Sequence, residues 1–295
     1  MPSAAERLSP SLTERVLARL GLSDQPSPTI DGLTALYRAW CRAVPYDNVR
    51  KLISLHRRDP GPLPGHDAID FFEVWLRYGA GGTCWAGNGA LYTLLTALGF
   101  EAVRGIATIV ARPNTPPNHG TVVVACNGVR YIVDASILHG EPLELPASGE
   151  PTAVAHPAWG VQLSRGQGQW FVRWRPLHIL DGVDCRIEHL DGTAMIFRSL
   201  HEQTRSWGPF NYALYGRRNN STGVIGTAFG KRIAIDEAGN ISRLDLPADE
   251  RVRFLVEELG IDEELASKLP PDAPTPPPPY ARADPPAASE TRYRL

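Results

Sequence analysis

The dipeptide Asn127-Gly128 constrains this chain more than any other short feature. It lies between His119-Gly120-Thr121-Val122-Val123-Val124-Ala125-Cys126 and Val129-Arg130-Tyr131-Ile132-Val133-Asp134, two runs rich in β-branched residues. Asn-Gly in that setting predicts a hairpin with a two-residue loop. The loop then sets the register: Cys126 pairs with Val129, Thr121 opposes Asp134, and His119 opposes Ser136, diagonal to Asp134. Paired residues share a face and side chains alternate along a strand. His119 and Asp134 therefore project from one face, with backbones about 7–8 Å apart, within reach of an imidazole and a carboxylate. Cys126 has the opposite parity and faces away.

A second stretch, Gly81-Gly82-Thr83-Cys84-Trp85-Ala86-Gly87-Asn88, adds a thiol. Trp85, Asn88, Leu91, Leu94, Leu95 and Leu98 recur at helical spacing, and Gly99 is a natural stop. With Thr83 as N-cap, Cys84 sits at the positive end of a buried helix. Such an end favours a thiolate and points free N–H groups outward. A lone cysteine is most often an inert packing residue. Combined with a His–Asp pair, it becomes a candidate Cys84-His119-Asp134 triad. His119 takes the thiol proton and returns one to a leaving group, while Asp134 holds the tautomer. By itself this chemistry covers acyl transfer and amide or thioester hydrolysis; transglutaminase-like and papain-like enzymes share the order of residues.

Upstream the periodicity is helical. Residues 9–20 form a first helix, and Asp31 caps a second through Ala43 with Leu33, Leu36, Tyr37, Trp40, Cys41 and Val44 on its apolar stripe. Pro45 ends it. Asp67 caps a further helix carrying Ile69, Phe72, Trp75 and Leu76. From Ala102 the pattern changes to period two. Trp170, Val172 and Trp174 alternate, Cys185 lies in an alternating packed run, and Asp181-Gly182 and Asp191-Gly192 are turn signals. A helix over 195–206, a small sheet over 222–240 and an amphipathic helix over 249–259 follow. The expected organisation is a helical bundle over 1–100, a β-barrel over 101–192, an α/β lid over 193–269, and an extended or disordered proline-rich tail over 270–295.

Composition excludes several classes. The net charge is −2 without a dense Lys/Arg run, so nothing favours nucleic acid or an acidic membrane. No apolar run approaches the roughly 18 residues of a membrane span. The N-terminus lacks an apolar signal core, which points to the cytoplasm. Cys41, Cys84, Cys126 and Cys185 are widely separated, with no C-x-x-C pair, so no metal site is expected.

At these residues the chain resembles the arylamine N-acetyltransferase family. That family shows R-G-G-x-C-x-E-x-N, L-G-F after a leucine-rich helix, a strand beginning with His, and a strand ending V-D-V-G-F-G. The matching stretches are Ala80 to Asn88, Leu98-Gly99-Phe100, Asn118-His119-Gly120 and Ile132 to Ser136. Val44-Pro45-Tyr46-Asp47-Asn48-Val49 resembles I-P-F-E-N-L, and Arg19-Leu20-Gly21 resembles R-I-G. The resemblance runs from about residue 15 to 140 and weakly to about 265. It implies an α+β fold with an N-terminal helical bundle, a central β-barrel and a C-terminal α/β lid around a Cys-protease-like core. It also implies ping-pong transfer of an acyl group from acetyl-CoA or another acyl thioester, through Cys84, to a small-molecule arylamine or other amine.

The chain departs from the family at Ala80 (for Arg), Ala86 (for Glu), Asp47 (for Glu) and Ala135-Ser136-Ile137-Leu138 (for V-G-F-G). These changes imply rewired braces around the thiol and an altered acceptor side. Two alternatives follow: an amide synthase taking its acyl chain from an acyl carrier protein, and a non-catalytic binding protein on the same scaffold.

Overall fold

The computed structural model describes residues 7–111 and 115–277. Its helical layer begins with α1 (Pro10–Arg19) and α2 (Ile30–Ala43) and is completed by α4 (Ala68–Tyr78) and α5 (Cys84–Ala97). Each start has a chemical cause. The Ser9 hydroxyl accepts from Leu12 N, and Asp67 accepts from Asp70 N at 2.8 Å. Gly79 and Gly99 close α4 and α5 in left-handed conformation, which a side chain disfavours. α2 is capped by Thr29 rather than Asp31, which lies one residue inside the helix and favours its positive end from there. Trp40, Phe71, Phe72 and Trp75 interlock as stacked and edge-on rings at the centre of this layer.

Two elements within the first hundred residues are not helices of a simple bundle. Tyr46–Asp47 forms a short strand, β1, and Val49–Arg57 forms α3. β1 has no pattern of its own, whereas α3 carries Val49, Leu52 and Ile53 at helical spacing on its buried face. The start of α3 is set by the Asp47 carboxylate, which accepts from Val49 N.

The barrel strands are β2 (Glu101–Ile109), β3 (His119–Cys126), β4 (Val129–Val133), β5 (Leu143–Leu145), β6 (Thr152–Val154), β7 (Val161–Gly166), β8 (Gln169–Trp174) and β9 (Val183–Gly192). Their order is β5-β4-β3-β2-β9-β8-β7-β6. The Thr152 hydroxyl donates to the Glu144 carbonyl at 2.6 Å, bringing β6 against β5 and nearly closing the barrel. The hairpin register is as the loop requires: Cys126 pairs with Val129 and Val122 with Val133. Val123 and Ile132 fill the barrel interior, whereas Val122, Val124, Cys126 and Val133 pack on the helical layer. Gly182 turns with positive φ, but Asp191-Gly192 lies within β9, paired to Arg104, and makes no turn.

Beyond the barrel come α6 (Ala194–Gln203), β10 (Tyr215–Asn219), β11 (Gly223–Ala228), β12 (Lys231–Asp236), β13 (Ile241–Asp245), α7 (Arg251–Glu257) and α8 (Glu263–Ala266). The second sheet has the order β1-β10-β11-β12-β13, so the segment before the Cys84 helix is stitched into the C-terminal part. Among the described residues no helix is long and apolar enough to cross a membrane.

The proline-rich segment is extended from 271 to 277 and lies against the body. Asp272 accepts from Leu214 N at 2.9 Å, Ala273 N donates to the Tyr212 carbonyl, and Trp207 Nε1 donates to the Pro276 carbonyl. The Asp272 carboxylate also lies 2.8 Å from the guanidinium of Arg251, whose side chain is 9% exposed. Residues 278–295 lie outside the described residues. Asp272→Ala is expected to lower stability by roughly 2 kcal/mol, because it strands a buried cation and a backbone donor. Thermal unfolding of the variant checks this.

Candidate active site

The loop before Cys84 is held by its neighbours. A Cβ on Gly81 would lie 1.9 Å from the Pro45 carbonyl oxygen, so only glycine fits. Asp47, 1% exposed, accepts from Gly81 N at 2.7 Å through one oxygen and from Val49 N at 3.0 Å through the other. One carboxylate thus joins the start of α3 to the approach to α5. Ala80 is buried in an apolar cluster with Val49, Leu52, Leu255 and Leu259. Ala86 faces Gly65 and Gly82 so closely that a Cβ on Gly65 would lie 2.6 Å from its own. At both positions apolar packing stands where the resembling family carries charge.

Burial pushes the Asp47 carboxyl up to about 6, against the pull of its two N–H donors and Arg50. A folded-state value above the unfolded one means that the native protein holds this proton more tightly. Its contribution to stability is complete below about pH 4 and is lost as pH rises through about 6, a change of roughly 3 kcal/mol. Unfolding free energies between pH 4 and 7 check this; the wild-type decline across that window should be absent in Asp47→Asn.

Cys84 is the first residue of α5. Thr83 occupies the N-cap position without a side-chain bond to the first turn, so its N–H groups face outward. The thiol donates to the Asn118 carbonyl at 3.6 Å. It packs beside Trp85, Ile106, Phe197 and Leu200. The other cysteines are buried, and burial pushes Cys41 and Cys185 up to about 12 and also raises Cys126. Cys84 is half-buried.

His119, adjacent in sequence to Asn118, meets Asp134 as the register requires: Nε2 lies 2.8 Å from Oδ2. Both are buried, at 3% and 0% exposure. Burial lowers the imidazole's affinity for a proton; the Asp134 carboxylate, with smaller help from the hydrogen bonds to Asp134 and Cys84, reverses this and raises it well above the usual range. Burial raises the Asp134 carboxyl, but the imidazolium and the N–H groups of Ile137 and Ser136 hold it well below the ordinary carboxylate range. Asp134 is thus a carboxylate facing Nε2, and a proton arriving on the imidazole is held strongly beside it.

The residues that hold this pair carried weaker signals in the sequence. Asp134 Oδ1 accepts from Ser136 N, Ile137 N and the Ser136 hydroxyl, at 2.9, 3.0 and 2.9 Å. Asn88, fully buried, donates Nδ2 toward the Gly120 carbonyl, Ser136 Oγ and Asp134 Oδ1, and accepts from Ala135 N at 2.9 Å. Tyr37 donates its hydroxyl to the Asp134 carbonyl at 2.9 Å and accepts from Asp134 N and His139 N. Tyr37 read only as one of a helical apolar stripe; a stripe shows a ring's burial, not what its hydroxyl reaches.

Lys51 was also missed: beside the apolar Leu52 and Ile53 of α3 it reads as an ordinary solvated helical charge. It is 6% exposed and donates to the Thr204 hydroxyl at 2.8 Å. Rings of Tyr46, Phe210, Tyr215, His178 and Phe229 cluster edge-on nearby, and Tyr46 bridges to Gly82.

Comparison with known proteins places this geometry in context. The N-acetyltransferase family model matches residues 29–172. The arylamine N-acetyltransferase of Mycolicibacterium smegmatis is 31% identical over 137 residues, covering 44% of this chain and 47% of the relative. Arylamine N-acetyltransferase 1 of Homo sapiens is 32% identical over 168 residues, 54% of each. The chain thus spans about half the length of the curated relatives it matches. Among solved structures, the arylamine N-acetyltransferase from Salmonella typhimurium superposes with a TM-score of 0.73 at 17% identity, covering 89% of this chain and 98% of that one. The Mycobacterium marinum enzyme in complex with CoA gives 0.73 at 18% identity, covering 87% and 98%. These likenesses bear out the fold: N-terminal helices, a nearly closed barrel and a C-terminal α/β part.

Proposed function

We propose that this chain works like the arylamine N-acetyltransferases it resembles and transfers an acyl group from a thioester to an amine through Cys84. The observation that carries the reading is the His119–Asp134 pair at 2.8 Å beside a thiol at the start of a helix. His119 Nδ1 accepts the thiol proton, and the thiolate attacks the acyl carbonyl of acetyl-CoA. The outward N–H groups of α5 receive the negative charge that develops on the carbonyl oxygen. Collapse expels the CoA thiolate, which takes a proton from His119, and leaves an acyl-Cys84 thioester. An amine then attacks this thioester, loses a proton to His119 and departs as the amide, regenerating the thiol.

Asp134 keeps the imidazole oriented throughout. The ring cluster around Tyr46, Phe210 and Phe229 favours an aromatic acceptor. The division of labour we propose assigns the thiol to residues 1–100, the His–Asp pair to 101–192 and the covering part to 193–269.

Incubation with acetyl-CoA followed by intact-mass measurement tests the reading. One acetyl group should appear on the protein, vanish in Cys84→Ala, and be discharged by an added arylamine. An adduct lost equally fast without amine would mean hydrolysis. An amide synthase is the second reading, favoured by Ala135 to Leu138, which replace V-G-F-G beside Asp134; an adduct from an acyl carrier protein thioester but not from acetyl-CoA would establish it. No adduct from any thioester would leave a binding protein.

A further inference from the structure

Lys51 is a buried cation that forms no ion pair among the described residues; the charge of Glu202 reaches it only through space. Its ammonium has three N–H donors. One goes to Thr204 Oγ1, whose own hydrogen goes to the His201 carbonyl at 2.7 Å. Among the described residues Lys51 forms no ion pair, although it is 6% exposed. Glu202, the carboxylate nearest in the chain to Thr204, is engaged by Arg205 and by Leu63 N. A desolvated charge with two idle donors is costly unless a partner arrives.

The location says what kind of partner. Lys51 lies in the first turn of α3, which Asp47 ties to the Gly81–Gly82 approach to Cys84. Thr204 ends α6, whose Phe197 forms with Trp85 and Ile106 the cluster against which Cys84 packs. The ammonium therefore joins α3, tied through Asp47 to the approach to Cys84, to the end of α6, which packs at the same cluster as the thiol. Burial pulls Lys51 down to about 8, with the Cys84 thiol the leading group opposing that fall, so it stays largely charged at pH 7. A groove between α4, α5 and α6, lined by Trp85, Phe197, Arg104, Arg198 and His201, reaches the same helix α6. Its one carboxylate, Asp67, is occupied capping α4 and pairing with His66 at 3.0 Å.

We propose that Lys51 is a specificity-determining residue that binds a carboxylate on one of the two substrates of the Cys84 reaction. The inference rests on the acyl-transfer reading for its kinetic arm only. Two sources fit the same chemistry: an acid group on the amine acceptor, or one on the acyl chain of the donor.

The test compares acid with neutral partners of equal size in wild type, Lys51→Met and Lys51→Arg. Acceptors are 3- and 4-aminobenzoate against the matching aminobenzamides with acetyl-CoA; donors are malonyl-CoA against butyryl-CoA with a neutral arylamine. The acid partner should be preferred in one series, chiefly through KM. That preference should fall roughly ten- to hundred-fold in Lys51→Met, the worth of one charge-assisted hydrogen bond, and survive largely in Lys51→Arg. The series that responds identifies the source. Where Lys51→Met fails to fold, Lys51→Gln, which can still bond Thr204, replaces it.

A readout without turnover is calorimetric binding of the aminobenzoates and malonyl-CoA to Cys84→Ala protein, with and without Lys51→Met. Weaker binding of the acid partner alone supports the site. Equal use of acid and neutral partners by wild type, or a preference that persists in Lys51→Met, overturns it. Failure of Cys84 to take any acyl group would sink the transfer reading, and calorimetry would then decide the carboxylate site by itself.

Discussion

Asp134→Asn is expected to lower kcat/KM for acyl transfer by about four orders of magnitude while the protein stays folded. The amide oxygen can occupy the position of Oδ1 and keep the bonds from Ser136 N, Ile137 N and the Ser136 hydroxyl. The amide nitrogen then faces His119 Nε2, where Oδ2 stood at 2.8 Å. Two donors cannot meet, so the imidazole places its hydrogen on Nδ1, the nitrogen that accepts the thiol proton in the proposed mechanism. The charge that raises the affinity of His119 for a proton is lost as well. Steady-state kinetics with circular dichroism check this. An activity loss under tenfold would mean that Asp134 does not set the tautomer.

Asn88→Ala is expected to cost roughly 3 kcal/mol of stability and to reduce activity as well. The Asn88 carboxamide joins α5, which carries the thiol, to the strand and turn that carry His119 and Asp134. Its loss leaves Ala135 N–H without an acceptor at a site of zero exposure and removes a donor from the Gly120 carbonyl. A buried donor left bare is penalised more than the bond was worth. The expected fall in Tm is roughly 6–12 °C for a domain of this size. Unfolding measured at equal activity-assay temperature separates the two effects, since a folded variant that still loses turnover shows misalignment of the pair.

The same two residues show how legible the site was. Asp134 and His119 could be read from one dipeptide, because a two-residue loop fixes register and alternation fixes faces. Asn88 was visible as a motif position and as part of a helical stripe, but neither pattern says that its carboxamide reaches across to Ala135 and Gly120. Asp47 was visible as a departure from a resembling family. Its two backbone donors appear only once Gly81 and Val49 are brought together. Ala80 and Ala86 read as lost charges, and the structure makes them parts of a packed apolar contact. Replacing buried charge by packing of this sort is often neutral for stability.

The sequence by itself determined the change from helices to strands near residue 100, the hairpin register, the helix start at Cys84 and the shared face of His119 and Asp134. All of these follow from local periodicity, capping and turn geometry, which act over a few residues. Tertiary structure alone decided that Tyr46–Asp47 joins the distant β10, that residues 270–277 dock, and that Lys51 is buried against Thr204 with no ion pair among the described residues. Those outcomes depend on partners as far as about 170 positions away in the chain. No short-range pattern encodes such a pairing, because it is the burial of shared surface, not local preference, that stabilises it.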